Sequence, residues 1–310
     1  EQLFRQPESI ENEVICISGR GAAKDFSVLM CNEVPDLNVV SSGQCFPKYI
    51  HEIETEEKTN DKQDLFGNKT DGEKTLTRRH AISDAALAHF REPYGEDGKQ
   101  IQKDDVFYFI YGLLHSEEYR EKYADNLSKQ LPRIPRPKTF ADFCHFANAG
   151  LDLADLHLNY ETVPCYDKCN LSGAIGQKLE VLKDGITVRP SFSGSLKDND
   201  KNAFAVSKMK HPKKDEKETI VYNGGITVSN IPLETYEYIV NGKSAIEWVM
   251  ERQAITVDKA SGIQNNANDF ANETMNNPRY PLELLLRVIT VSLETMKIVN
   301  NLPELNVLDS

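Results

Sequence analysis

At 310 residues the chain can bury a sizeable core, as one large domain or two modest ones, without metal or disulfide staples. With 39% hydrophobic residues and no apolar run approaching the ~18 residues that span a bilayer, the sequence excludes a membrane-spanning helix. A formal net charge of −12 excludes a surface that attracts nucleic acid all round, but not a basic groove on an acidic body.

The opening residues, EQLFRQPESI, lack an initiator methionine and the basic and apolar regions of a signal peptide, so the chain is expected to be a piece of something longer. Six scattered cysteines in a chain of this length favour a reducing compartment, hence a cytoplasmic location. Strands are expected at 14–18 (VICIS), 26–30 (FSVLM) and 37–41 (LNVVS). Gly19-Arg20-Gly21, between the first two, resembles a phosphate-cradling loop. The third glycine of the dinucleotide pattern is missing, however, the P-loop pattern does not fit, and no helix follows to offer its N-terminus. A turn is the expectation there.

Residues 51–75 are polar, with six acids against two lysines in 51–64, and predict a solvated loop or hairpin excursion. A helical block follows, at 79–92, 104–116, 116–131 and 140–158, interrupted by PRIPRP. The last of these puts Phe140, Phe143, Ala147, Leu151, Ala154 and Leu158 on one stripe, with His145 and His157 in structural positions. From 160 to 230 the texture is short strands and turns: a strand at 185–192 and a hairpin over 219–229 about Asn223-Gly224-Gly225. Ser244 and Glu247 form a capping box at the start of a helix over 243–252. A final helix over 280–301 carries Leu282, Leu285, Leu286, Ile289, Leu293, Met296 and Val299 at helical spacing, with Glu283 and Arg287 as a solvated i,i+4 pair. The fold class is therefore mixed α+β, with short strand segments flanking a central helical block. Two intertwined lobes are expected, of about 1–160 and 161–310.

Candidate chemistry is sparse. Asn277-Pro278-Arg279-Tyr280 invites comparison with the Asn-Pro-Pro-Tyr tetrad of amino-methyltransferases, but it follows a polar stretch and opens an amphipathic helix, where Asn277 suits an N-cap and Pro278 the first helical position. Cys165 and Cys169 are a close thiol pair without a second pair or spaced histidines to complete a zinc site. No catalytic motif is recognised, and no catalytic, cofactor-binding or metal-binding residue is assigned. What has functional colour is basic and amide-rich: Arg78, Arg79, Arg133, Arg136 and Arg189, then Lys197, Lys208, Lys210, Lys213 and Lys214 within a stretch (197–214) of six lysines against two acids, then Gln264, Asn265 and Asn266. Lys and Arg suit phosphates, while Arg, Asn and Gln suit base edges. Each of these alone also suits a solvated surface.

Five long strings, FSVLMCNEVPDLNVVSSGQCFP (26–47), DVFYFIYGLLHSEEYREKYADNLSKQLPRIP (105–135), FADFCHFANAGLDLADLHLNYE (140–161), VNGKSAIEWVMERQAITVDKASGIQNNANDFA (240–271) and NPRYPLELLLRVITVSLETMKIVNNLPEL (277–305), closely resemble the C-terminal target-recognition region of type ISP single-chain restriction-modification enzymes. The resemblance covers nearly the whole chain and is weakest at 51–75 and 165–215. It implies that nuclease, ATP-driven translocase and adenine methyltransferase lie elsewhere in one long polypeptide, with S-adenosylmethionine, ATP and Mg²⁺ serving those parts. This region would then be no enzyme itself; its partners would be double-stranded DNA and the methyltransferase domain of the same polypeptide, with no membrane. Two other readings stand beside it: a scaffold between methyltransferase and motor that reads no bases, and an adenine-N6 methyltransferase fragment built around 277–280. The CYDKC stretch (165–169) departs from the expected family pattern and inherits no role.

Overall fold

The computed structural model describes residues 11–35, 39–55, 74–173, 179–181, 188–190 and 201–308. The chain divides into two compact units, Glu1–Leu151 with Pro303–Ser310, and Asp152–Leu302.

In the first unit, β1 (Val14–Ile17) is central to a three-stranded antiparallel sheet ordered β2 (Val28–Cys31), β1, β3 (Gln44–Pro47). Every β1 side chain is buried, which explains its unbroken VICI run. Gly19-Arg20-Gly21 lies in the connection between antiparallel β1 and β2, as a turn should. The expected strand at 37–41 is corrected: Val39 to Ser41 are bends and turns, and residues 37 and 38 lie outside the described set. Val40 is buried on the sheet and the Ser41 carbonyl accepts the Gly19 N–H, so these residues pack as an elbow, and the strand is β3.

The polar excursion leaves through β4 (Tyr49–Thr55) and returns through β5 (Lys74–His80), an antiparallel pair; 56–73 lie outside the described residues. Because Arg79 and His80 belong to that ladder, the first helix, α1 (Asp84–Arg91), starts later than 79, where Ser83 Oγ accepts the Ala86 N–H. α2 (Gly95–Gly98) is one turn, and α3 (Lys103–His115) is buried over most of its length. The expected helix at 116–131 divides at Tyr123 into α4 (Glu117–Lys122) and α5 (Ala124–Leu127). α6 (Phe140–Leu158) spans its expected range, and the boundary between the units falls within it. Phe90, Phe109, Phe143 and Phe146 form an aromatic core, with Phe109 and Phe143 stacked at 4.8 Å. Two positions on the expected α6 stripe face solvent instead, Leu151 and His145.

The second unit holds the sheet β6 (Asn170–Gly173), β10 (Ile226–Ser229), β9 (Ile220–Val221), in that spatial order. Between them in sequence come the pair β7 (Leu179–Val181) and β8 (Val188–Pro190), and the one-turn α7 (Lys201–Phe204). β8 lies within the strand expected at 185–192, the rest of which is largely outside the described residues. β11 (Ile239–Val240) and β12 (Lys243–Ser244) lead into α8 (Ala245–Arg252), whose capping box joins Ser244 and Glu247. A hairpin of β13 (Ile255–Val257) and β14 (Gln264–Asn266), the short α9 (Ala267–Asp269) and α10 (Tyr280–Asn300) complete the unit. Leu282, Leu285, Leu286 and Ile289 of α10 pack with Leu171, Phe204, Ile220, Tyr222, Ile226 and Val228 into its core. Among the described residues no helix is long and apolar enough to cross a membrane.

The N-terminus of α10 departs from expectation. The helix starts at Tyr280, so Pro281 stands in its first turn, and Asn277 lies outside it, its Oδ1 accepting the Arg279 N–H at 3.1 Å. Glu283 and Arg287 are not solvated. Glu283 is 2% exposed, between Arg279 Nε at 3.4 Å and Arg287 NH1 at 3.5 Å, both guanidinium groups being buried too. The i,i+4 pattern is the same on either face of a helix, and here α10 is surrounded.

Candidate nucleic-acid interface

Arg78 and Arg79 are consecutive on β5 and therefore point to opposite faces of the β4–β5 ribbon. Both are exposed. Arg78 lies over the Tyr49 ring at 4.3 Å, and Arg79 pairs with Glu52 at 2.6 Å, holding that carboxyl below its usual range through their hydrogen bond. Arg136 donates to the His89 carbonyl and pairs with Glu92 at 3.0 Å. Exposed pairs of this kind are worth about 0–1 kcal/mol, so a phosphate can compete for these arginines, but their charge is locally offset. Arg133 is exposed, and its carbonyl accepts the Tyr119 hydroxyl.

In the second unit, Arg189 stands in β8 opposite Glu180 of β7, and Lys197 lies outside the described residues. The segment 206–214 alternates: Val206 and Met209 are buried, whereas Lys208, Lys210, Lys213 and Lys214 are exposed. Lys210 exchanges both backbone hydrogen bonds with Val221 of β9, so it extends the edge of that sheet. Unlike Arg79 and Arg136, the four lysines make no ion pair among the described residues.

The fold brings this segment against the hairpin that carries Gln264, Asn265 and Asn266. Ser207, next to Lys208, accepts the Ile255 N–H at 2.9 Å. The Asn268 side chain clamps Val206, accepting its N–H and donating to its carbonyl, both at 2.9 Å. Two candidate stretches about fifty residues apart thus share one surface. Within it, Gln264 and Asn265 are exposed, but Asn266 is spent locally: its Oδ1 caps the Asn268 N–H and its amide donates to Asp269. Sequence reasoning missed Lys259, exposed in the turn of the same hairpin. It also missed the hairpin itself, although the β-branched triplet Ile255-Thr256-Val257 before a Gly262 turn was the signal for it.

Cys165 and Cys169 are core thiols, donating to the carbonyls of Glu283 and Asn230. Burial pushes the Cys169 thiol up to about 12. No cluster of three or more His, Cys, Asp or Glu among the described residues could hold a metal ion. The Gly19–Lys24 turn does not suit a nucleotide, because a Cβ on Gly19 would lie 1.8 Å from the Ser42 carbonyl oxygen: this backbone is closed against its own chain. The side chains at 277–280 are likewise turned inward, with Tyr280 donating to Glu161 at 2.6 Å and Asn277 to Glu283 at 3.0 Å.

Comparison with known proteins gives these features a family. The family model described as the type ISP C-terminal specificity domain matches residues 1–284. No curated protein sequence matches. Among solved structures, a nuclease-deletion mutant of the type ISP restriction-modification enzyme LlaGI, in complex with a DNA substrate mimic, is 33% identical over 99% of this chain, with a TM-score of 0.70. The ATP-dependent type ISP enzyme LlaBIII bound to DNA is 32% identical over 97%, with a TM-score of 0.72, and a DrdV–DNA complex is 28% identical over 99%, with a TM-score of 0.70. The chain spans 22%, 16% and 26% of the length of those three polypeptides. It belongs, by these matches, to the type ISP C-terminal specificity domain family.

Proposed function

We propose that this chain recognises the duplex DNA target of a type ISP restriction-modification polypeptide and holds it in register while methyl transfer, translocation and cleavage occur in other parts of the same polypeptide. The observation that carries the reading is the match of almost the whole chain to segments of polypeptides held on DNA. In this reading the chain catalyses nothing and takes no cofactor. S-adenosylmethionine, ATP and Mg²⁺ serve the nuclease, motor and adenine methyltransferase of the parent, which works in the cytoplasm. Extracting an adenine from the stack costs a few kcal/mol and needs the duplex fixed beforehand, which is the work left to a specificity domain.

The lysine segment supports the reading from the side of electrostatics. On a body of net charge −12, exposed cations without acidic partners provide the local positive potential that phosphates require. A scaffold that couples methyltransferase and motor without reading bases is the second reading, favoured by that net charge. Charge reversal separates the two. With Lys208, Lys210, Lys213 and Lys214 each changed to Glu, duplex affinity measured across 50–200 mM salt is expected to drop. The slope of log K against log salt is expected to flatten by about 0.9 for each phosphate that the variant no longer neutralises. Unchanged affinity and slope remove these lysines from the interface, and a wild-type chain indifferent to duplex sequence favours the scaffold.

A further inference from the structure

Resting on the reading that this chain binds duplex DNA, we propose that the hairpin of β13 and β14 is its base-reading element. It is a two-stranded ribbon that enters the major groove, with the face that carries Gln264 and Val257 toward the bases, Gln264 hydrogen-bonding a base edge and Val257 meeting the neighbouring thymine methyl group. Every residue from Ile255 to Asn265 is exposed, so neither face of the ribbon rests on a core. A free two-stranded hairpin is marginal in water, and Val257 and Ile263 stand 58% and 61% exposed at its end, so the element is built to be covered by something else.

It is also held in shape before anything covers it. Ser207 and Asn268 anchor its base through the bonds described above. At the tip, Asp258 Oδ1 accepts the N–H groups of Ala260 and Ser261 and the Ser261 hydroxyl, and the Asp258 N–H closes the turn on the Ile263 carbonyl. A ribbon ordered in advance loses little entropy on binding.

The chemistry of the exposed residues selects the occupant. The register pairs Val257 with Gln264, placing them as neighbours on one face, and Thr256 with Asn265 on the other. An A·T pair offers to the major groove the N6/N7 edge that a carboxamide reads bidentately and, beside it, the thymine methyl that an apolar side chain covers. Val257 with Gln264 matches that pattern, and the groove, about 12 Å wide, admits a two-stranded ribbon. A protein partner would bury both carboxamides and require a bonded mate for each. Of the nearby acids Glu251 is offset by Lys243, whereas Asp258 and Asp269 keep their charge but are turned to the hairpin's own donors. Lys208, Lys210 and Lys259 are left to face the phosphates that flank a groove.

The test is selection of this chain, alongside its variants, on short duplexes with a randomised centre, with bound and unbound pools sequenced and the salt slope measured in parallel. Gln264→Ala is expected to relax the preference at one base pair, costing about 5- to 150-fold in discrimination there, and to leave the salt slope unchanged, whereas Asn265→Ala, on the opposite face, is expected to keep the preference. Gln264→Glu, which can only accept, is expected to move the preferred base at its position from adenine to cytosine. Replacing the contacted thymine by uracil is expected to weaken wild-type binding and to leave Val257→Ala unaffected. If the Gln264 and Val257 variants keep the wild-type preference while lysine reversal still weakens binding, the hairpin assignment falls and DNA recognition survives. If the wild-type chain enriches no sequence, the reading on which it rests falls as well.

Discussion

Glu283 carries a carboxylate into the interior of the second unit, between the guanidinium groups of Arg279, just before its helix, and Arg287 within it, and receives the Asn277 amide at 3.0 Å. Arg287 also donates to the Val163 carbonyl, so the network ties the start of α10 to the segment after α6. Tyr280 adds a second tie to Glu161, and burial together with that bond holds its phenol well above the usual range. A buried pair gains little over an apolar replacement of both partners, but removing one partner strands the other. Glu283→Ala is therefore expected to cost about 3–5 kcal/mol in urea unfolding, far beyond the ~0.3–0.5 kcal/mol of an exposed i,i+4 pair. A loss near the smaller figure would mean that water reaches these charges. In the sequence this triad is indistinguishable from a solvated pair, because spacing sets which residues meet and says nothing about what covers them.

At the scale of elements, α3 and α6 cross where Gly112 and Gly150 let the backbones touch. A Cβ on Gly150 would fall 1.8 Å from the Tyr108 carbonyl oxygen, and one on Gly112 would fall 2.1 Å from that of Phe146. Alanine is the better helix former by about 1 kcal/mol, so a solvated glycine here would be improved by it. Gly150→Ala is expected instead to destabilise the first unit by about 1–3 kcal/mol, since the clash is with backbone and only a shift of the helices relieves it. A raised Tm for this variant would contradict the crossing. The helices themselves were legible: apolar patterning located α3, α6 and α10, a capping box located α8, and a Gly-rich turn located the β9–β10 hairpin. What misled was short apolar runs. Val39 and Val40 have the composition of a strand, but Val40 is buried as an elbow over β1, a tertiary role that local pattern does not encode. Leu151 lies on the α6 stripe and yet faces solvent, while Leu153, Ala154 and His157 further along the helix are buried, so the covered face is not one uninterrupted stripe.

For the whole molecule, the candidate site was legible as residue types and illegible as an arrangement. Lysines at 208–214 and amides at 264–266 are visible in the sequence, but their adjacency rests on Ser207 and Asn268, two backbone-directed contacts with no sequence signature. Both stretches belong to the unit 152–302, so the duplex binding proposed for them requires that unit to stay folded. His157 makes that stability respond to acid. Its Nε2 lies 2.9 Å from Thr295 Oγ1, its ring stacks on Tyr238 at 5.2 Å, and burial pushes its pKa down to about 3. An unfolded histidine titrates near 6.5. Between those values the unfolded chain holds a proton that the folded chain refuses, so stability is fully present above pH ~6.5 and is lost on acidification toward 3, by at most ~1.4 kcal/mol per pH unit. Trp248, the one tryptophan of the chain, lies in the same unit and reports its unfolding. Urea titrations followed by its fluorescence at pH 7, 6 and 5 are expected to show the wild type losing stability faster than His157→Gln, whose uncharged amide can still meet Thr295 without titrating. Parallel profiles for the two would contradict a neutral buried imidazole. The same experiment bears on DNA binding: the chain has seven histidines, and their protonation on acidification makes the net charge less negative, which by itself favours phosphate binding. A fall in duplex affinity between pH 6.5 and 5 that His157→Gln reduces is then a loss of fold, not a change in the field around the lysines.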